Sequence, residues 1–237
     1  MLFVALSLTA GFLIATQEPV APANSVPVQN ALAADPKWKA LGKDLWFDQA
    51  GRRVILQAKV CLTEGSLEHL LCAAHSKEHE SILATEATPR LIHAGLILIA
   101  GEPGHPVRYR PEVEPPAGPK IAIELEWLDA DGKRKTADAR TWVKDEKTGK
   151  PLEVMWVFAG SELFQDPDTK KVIYAADAGD LFTVANFPSA ILDLPVTSSS
   201  SDNERAFVAH TAQIPPRETP VRIILKAAEP SQPKPNP

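Results

Sequence analysis

The residues best suited to chemistry lie close together in the chain: His69, His75, Lys77, Glu78, His79 and Glu80. Imidazoles and carboxylates at this density can hold a divalent cation or move a proton. His75 and His79 are four apart, so on a helix they share a face and form a candidate metal pair for zinc or manganese. On a strand the same spacing puts them roughly 13 Å apart, at ~3.3 Å per residue. The zinc-protease spacing His-Glu-x-x-His is absent, because Leu83 stands where the second histidine is needed. A charged run of this kind is ordinarily a solvated turn leading into a buried element. On that reading at least one of Glu78, His79 and Glu80 turns inward, with His79 the expected pivot. On the functional reading Lys77, Glu78, His79 and Glu80 form a binding cluster with His93.

Other catalytic patterns fail. Ala159-Gly160-Ser161-Glu162-Leu163 is not a nucleophile elbow, and no Gly-rich phosphate loop occurs. No catalytic residue can therefore be assigned. Asp177 and Asp180 are spaced as paired carboxylates, but Ala178-Gly179 between them reads first as a turn. Asp129 and Asp131 fail as calcium ligands, since Arg140 occupies the position where a glutamate is needed. Trp142, Trp156 and Phe158 could line a ligand groove, although such residues more often build a core.

These residues need elements to position them. Thr88 suits a helix N-cap, Pro89 the first turn and Gly101 the left-handed residue past the end. Between them Leu91, Ile92, Leu96, Ile97, Leu98 and Ile99 cover most of the circumference, which predicts a central buried helix over 88–100. His93 lies inside it and reads first as a neutral core histidine. Leu67, Leu70, Leu71 and Ala74 form a helical stripe, predicting a short helix over 63–74. Residues 45–48 and 53–62 read as a hairpin, as do 121–129 and 135–143 around an Asp-Gly turn. Further strands are expected at 154–159, 171–175, 181–185 and 221–227. The fold class is α+β: mainly antiparallel sheets packed on the 88–100 helix, with the 63–74 helix beside it. Cys61 then falls on the wetter face of its strand and Cys72 off the helical stripe. In an exported chain that favours a Cys61–Cys72 disulfide over two buried free thiols.

Length and composition bound the rest. A chain of 237 residues allows one large domain or two small ones, and a single domain is placed at 37–227. The net charge of -5, without a long basic run, argues against a nucleic-acid partner. Residues 1–17 carry no charge, and 2–15 form an apolar run of signal-peptide length or a short membrane anchor, although no Lys or Arg precedes it. Residues 18–36 read as a flexible Pro/Ala-rich spacer, and 228–237 as a disordered Pro-rich tail. Export to the periplasm, or anchoring facing it, is the expected location.

Several motifs in order resemble the YdjY-domain proteins. They are Lys77-Glu78-His79-Glu80-Ser81, His93-Ala94-Gly95-Leu96 and Gly101-Glu102-Pro103-Gly104-His105-Pro106-Val107. Val157-Phe158-Ala159-Gly160-Ser161, Asp177-Ala178-Gly179-Asp180 and Asn186-Phe187-Pro188-Ser189-Ala190 are similar to the exported versions common in planctomycete bacteria. The resemblance spans residues 44–226 and implies no established activity. Some relatives carry a ferredoxin-type label, but two cysteines are too few to ligate a cluster. The leading expectation is an exported, non-enzymatic domain that binds a protein or small-molecule partner without a cofactor. The alternative is a zinc- or manganese-dependent hydrolase using His75, Glu78, His79 and Glu80.

Overall fold

The computed structural model describes residues 32–199 and 206–229. In chain order its strands are β1 (Lys39–Gly42), β2 (Leu45–Asp48), β3 (Arg53–Val60), β4 (His69–Ala73), β5 (Ser81–Thr85), β6 (Lys120–Leu128), β7 (Arg134–Asp138), β8 (Val143–Asp145), β9 (Trp156–Phe158), β10 (Leu163–Gln165), β11 (Val172–Tyr174), β12 (Asp180–Thr183), β13 (Leu192–Asp193), β14 (Phe207–Ala209) and β15 (Pro220–Ala227). One α-helix, α1 (Pro89–Ala100), lies between β5 and β6. The expected signal peptide or anchor, most of the spacer and the tail from 230 onward lie outside the described residues.

Eight strands close on themselves in the order β3–β15–β6–β9–β13–β12–β4–β5 and back to β3. Closure satisfies backbone donors and acceptors that an open sheet would leave at its edges. Two strands share one edge between two partners. β2 pairs with the first half of β3, and β5 takes over at Lys59 and Val60. On β6, β7 pairs with residues 124–128 and β9 with 120–121. Thr85 Oγ1 donates to the Gln57 carbonyl at 2.6 Å where the β3 edge changes partner.

The core is one contiguous cluster in which Trp156, Phe158, Phe182, Leu56 and Leu71 are fully buried. Trp156 keeps its indole N–H satisfied by donating to the Thr183 carbonyl at 2.7 Å. Most pairings are antiparallel, but β4 with β5 and β12 with β13 run parallel.

The architecture corrects the α+β expectation: the molecule is mainly β, and its core belongs to a closed barrel rather than to sheets packed on a helix. The helix at 88–100 forms with almost the expected limits, but it is peripheral. It packs Ile92, Gly95, Leu96 and Ile99 inward and leaves Leu91, Ile97 and Leu98 at the surface. Gly95 allows the close approach, since a β-carbon there would stand 3.0 Å from Val54 Cγ2. Thr88 has the extended backbone of a cap, but its hydroxyl makes no cap bond. Gly101 takes a φ of 79° and donates its N–H to the Ile97 carbonyl at 3.0 Å.

The helix expected at 63–74 does not form; its second half is β4. Residues 67 to 72 are all buried, because a strand inside a closed barrel is covered on both faces. Such a strand shows no alternation, and its apolar run matches a helical stripe equally well. No helix among the described residues is long and apolar enough to cross a membrane.

The peripheral helix is testable by comparing Leu96→Ala with Leu98→Ala in urea unfolding. Loss of the buried Leu96 is expected to cost about 2–5 kcal/mol. The half-exposed Leu98, replaced by a better helix former, is expected to cost less than about 0.5 kcal/mol.

Candidate functional site

β4 and β5 are parallel neighbours, with His69 opposite Ser81. Parallel strands normally need a crossover of about a dozen residues or more. Here residues 74–80 alone make the return. They must travel back roughly 13 Å, four strand steps at ~3.3 Å, and seven residues can span about 24 Å when extended. The connection therefore fits only if it stays close to the strands it joins. His75 enters the left-handed region with φ 63°. Ser76 Oγ donates to the Ala73 carbonyl at 2.5 Å, and the Glu78 carboxylate accepts from the His75 N–H. Gly179, at φ 115°, makes room for the turn, because a β-carbon there would lie 2.4 Å from Ser76 Oγ.

The return carries Glu80 to the position preceding β5, beside Glu68 and His69 at the start of β4. Glu68, Glu80, His69 and Asp180 are all buried. His69 Nε2 lies 2.9 Å from Asp180 Oδ1, and Ser189 Oγ donates to the other carboxylate oxygen of Asp180. Lys77 Nζ stands 3.6 Å from Asp180 and 3.9 Å from Glu80. The His69 ring stacks on Phe187, with centroids 5.5 Å apart. Phe187 is held from behind, since its N–H and the Asn186 side-chain amide both donate to Asp193. Burial pushes the Asp193 carboxyl up to about 7 against the pull of these donors. Burial also pushes Asp180 up, but the bonds from His69 and Ser189 and the Lys77 charge outweigh it and bring its carboxyl down to about 2.

Two consequences follow for chemistry. Asp180 stands between His69 and Ser189, so the histidine and the serine meet only through the carboxylate. A serine nucleophile needs the imidazole beside it, and this order cannot activate one. Second, with Nε2 occupied by Asp180, the remaining ring nitrogen of His69, Nδ1, is buried and has no partner among the described residues. One ring nitrogen of His69 and one carboxylate oxygen each from Glu68 and Glu80 lie within 4.8 Å of one another. Among the described residues this is the group of three or more ligating side chains that could hold a metal ion.

The structure divides the sequence-predicted residues. Lys77 and Glu80 belong to the cluster. Glu80, not His79, is the side chain that turns inward; the His79 side chain is 76% exposed and its Nε2 lies 3.7 Å from Glu80 Oε1. Glu78 caps the turn. His75 is 89% exposed and lies 3.7 Å from Glu86. Since residues 74–80 form a turn, the helical face that would unite His75 and His79 is not present. His93 sits in a different group, its Nδ1 2.8 Å from the Tyr174 hydroxyl and its ring edge-on to Phe158. Burial lowers its pKa. Sequence reasoning gives Glu68 no role, has Phe187 and Ser189 only in a family motif, and pairs Asp180 with Asp177 across a turn rather than with His69. The local signals for Asp180 are its spacing from Asp177 and its place after a glycine at the start of an apolar strand.

The expected Cys61–Cys72 disulfide is also corrected. Both cysteines are free and buried, sharing a small cluster with Ala84. Cys61 follows β3 and Cys72 lies on β4, with β5 between them. Two strand spacings, about 9.6 Å, exceed the ~7 Å that a disulfide permits between α-carbons. Cys61 donates to the Ser81 carbonyl at 3.0 Å. The neighbouring Cys72 thiol, with burial adding to it, raises the pKa of Cys61, and the Cys61 thiol in turn lowers that of Cys72.

Three outcomes are expected. Gly179→Ala forces a β-carbon onto Ser76 at a disfavoured φ and lowers the urea midpoint, whereas Gly132→Ala, in an open turn, has a smaller effect. Because the Asp180 carboxyl is depressed, its stabilisation is present above the unfolded-chain value of ~3.9 and is lost as pH falls through about 2. The advantage of the parent over Asp180→Asn should shrink across that window in unfolding titrations. Neither thiol should react with a bulky disulfide reagent until the chain is unfolded in denaturant, when both should be counted.

No curated protein and no solved structure matches the chain. The family model described as YdjY domain matches residues 45–226, from the start of β2 to the penultimate residue of β15. That match covers the whole barrel, both strands that carry the cluster and the loops that brace it, and on it the chain belongs to the YdjY domain family.

Proposed function

We propose that this chain is a non-enzymatic binding domain that works outside the cytoplasm and takes its ligand at the cluster around His69. The observation that carries the reading is the arrangement about Asp180. Its carboxylate fixes the histidine and the serine separately, leaving His69 Nδ1 without a partner among the described residues, in a side chain that has one ring nitrogen within 4.8 Å of the Glu68 and Glu80 carboxylates. One imidazole and two carboxylates are coordinating groups, and among the described residues of the cluster no nucleophile stands beside a base. The uncharged apolar run at 2–15 and the Pro/Ala-rich stretch that follows it support export, cleaved or anchored, as in the planctomycete-type relatives. The partner is then a small molecule, ion or protein of the periplasmic space.

The test is turnover. The full chain, incubated with chromogenic ester, phosphomonoester and peptide substrates, with and without added zinc or manganese, is expected to match buffer alone. A rate that disappears in Ser189→Ala would overturn the non-enzymatic reading. N-terminal sequencing of protein from the native host checks the location, and an intact Met1 on soluble cytoplasmic protein refutes export.

A further inference from the structure

Resting on the reading of the His69 cluster as a binding site, we propose that its ligand is a single first-row divalent cation, zinc in the first place, held by His69 Nδ1 and the carboxylates of Glu68 and Glu80. Three observations converge on this set. One ring nitrogen of His69 and one carboxylate oxygen each from Glu68 and Glu80 already lie within 4.8 Å of one another. A metal with bonds of ~2.0–2.2 Å would draw them to about 3–3.5 Å apart, a closure within the reach of side-chain rotation. His69 is fully buried, yet Nδ1 has no partner among the described residues. An unpaired buried ring nitrogen is costly, and a metal removes that cost. Finally, the other ring nitrogen is fixed as metal-bound histidines usually are. Nε2 donates to a carboxylate, which sets the tautomer and leaves the lone pair on Nδ1. Asp180 is thus a positioning residue, itself held by Ser189.

The donor set selects the ion. Magnesium and calcium prefer oxygen alone, and soft ions prefer thiolate, whereas one imidazole with two carboxylates suits zinc or manganese. Zinc binds such a set more tightly than manganese. Three protein ligands leave a coordination position open for an oxygen of water or of a bound molecule. The Lys77 ammonium, 3.9 Å from Glu80, opposes the cation, so its removal should tighten binding.

The experiment uses the full, untagged chain, stripped with chelator and titrated with zinc chloride by calorimetry, with metal content measured after dialysis. One equivalent per chain is expected. Glu68→Gln and Glu80→Gln should each weaken binding at least tenfold, and Lys77→Met should strengthen it. His75→Ala with His79→Ala should leave the stoichiometry unchanged, as should Cys61→Ser with Cys72→Ser. Cobalt substituted for zinc should give visible absorption without a thiolate charge-transfer band. Circular dichroism of each variant confirms folding, and His69→Asn is not relied on, because it disturbs Asp180. The inference is overturned if the parent chain retains no metal, or if binding survives in both glutamate variants, or if it is lost with His75 and His79 or with the cysteines. Absence of both metal and turnover would sink this inference and leave the non-enzymatic reading standing. Metal-dependent turnover would do the reverse.

Discussion

The parallel pairing of β4 with β5 across a seven-residue return is the constraint from which the rest of the site follows. A longer connection could wander into solvent. This one must run back along its own strands, and in doing so it brings Glu80 level with Glu68. The same turn presses Ser76 against Gly179, which sets the start of β12 and delivers Asp180 to His69. One short loop thereby fixes four buried ionisable side chains contributed by three strands and their approaches. Burying that much charge is unfavourable unless each group has a partner of suitable geometry. The bonds on Asp180 and the depressed pKa of its carboxyl show how one member of the group is accommodated.

Support for this arrangement comes from outside the strands. Asp193 accepts from the backbone of Phe187 and the side chain of Asn186, and so holds the aromatic face against which His69 stacks. Ser189, two residues further on, reaches Asp180. The motifs that carry the family resemblance accordingly fall into two spatial groups. Lys77, Glu80, Asp180, Phe187 and Ser189 meet around His69, whereas Asp177 pairs with Arg90 of α1. Around His93 are its own helix, Phe158 and Gly160, with Pro103 packed on Gly160. The second group is occupied with its own bonding: His93 meets the Tyr174 hydroxyl, which in turn lies 3.4 Å from the Gly160 carbonyl. It fastens α1 to the barrel, whereas the first group retains a ring nitrogen without a partner among the described residues.

The sequence was legible where a pattern is local. The hairpins at β2–β3 and β6–β7, the limits of α1 and the last strand all follow from alternation, turn residues and caps. It was illegible where burial removes the pattern. β4 is covered on both faces, so its leucines fit a helical stripe as well as a strand, and choosing the helix misplaced Cys72 and with it the disulfide. The surface leucines of α1 misled in the opposite sense, since a helix apolar on most sides was taken for the centre of a fold whose core is a barrel. In the site, Lys77 and Glu80 stood out by charge density. Asp180 and Ser189 did not, because they reach His69 only through contacts 111 and more residues long in sequence, and no spacing rule encodes those.

β15, the final strand, lies between β3 and β6 and pairs with both over most of its length. As the chain is synthesised, the two strands it joins are therefore left with open edges until almost the last described residue has emerged. Loop-closure entropy must be met before those long-range pairings give any return. The barrel is in this sense assembled by its tail end. A nascent chain halted before residue 220 holds one open seven-stranded sheet whose β3 and β6 edges offer unpaired backbone groups to their neighbours. Closure of the barrel waits on residues 220–227, and a chain halted before them is a sticky product rather than a smaller version of the domain.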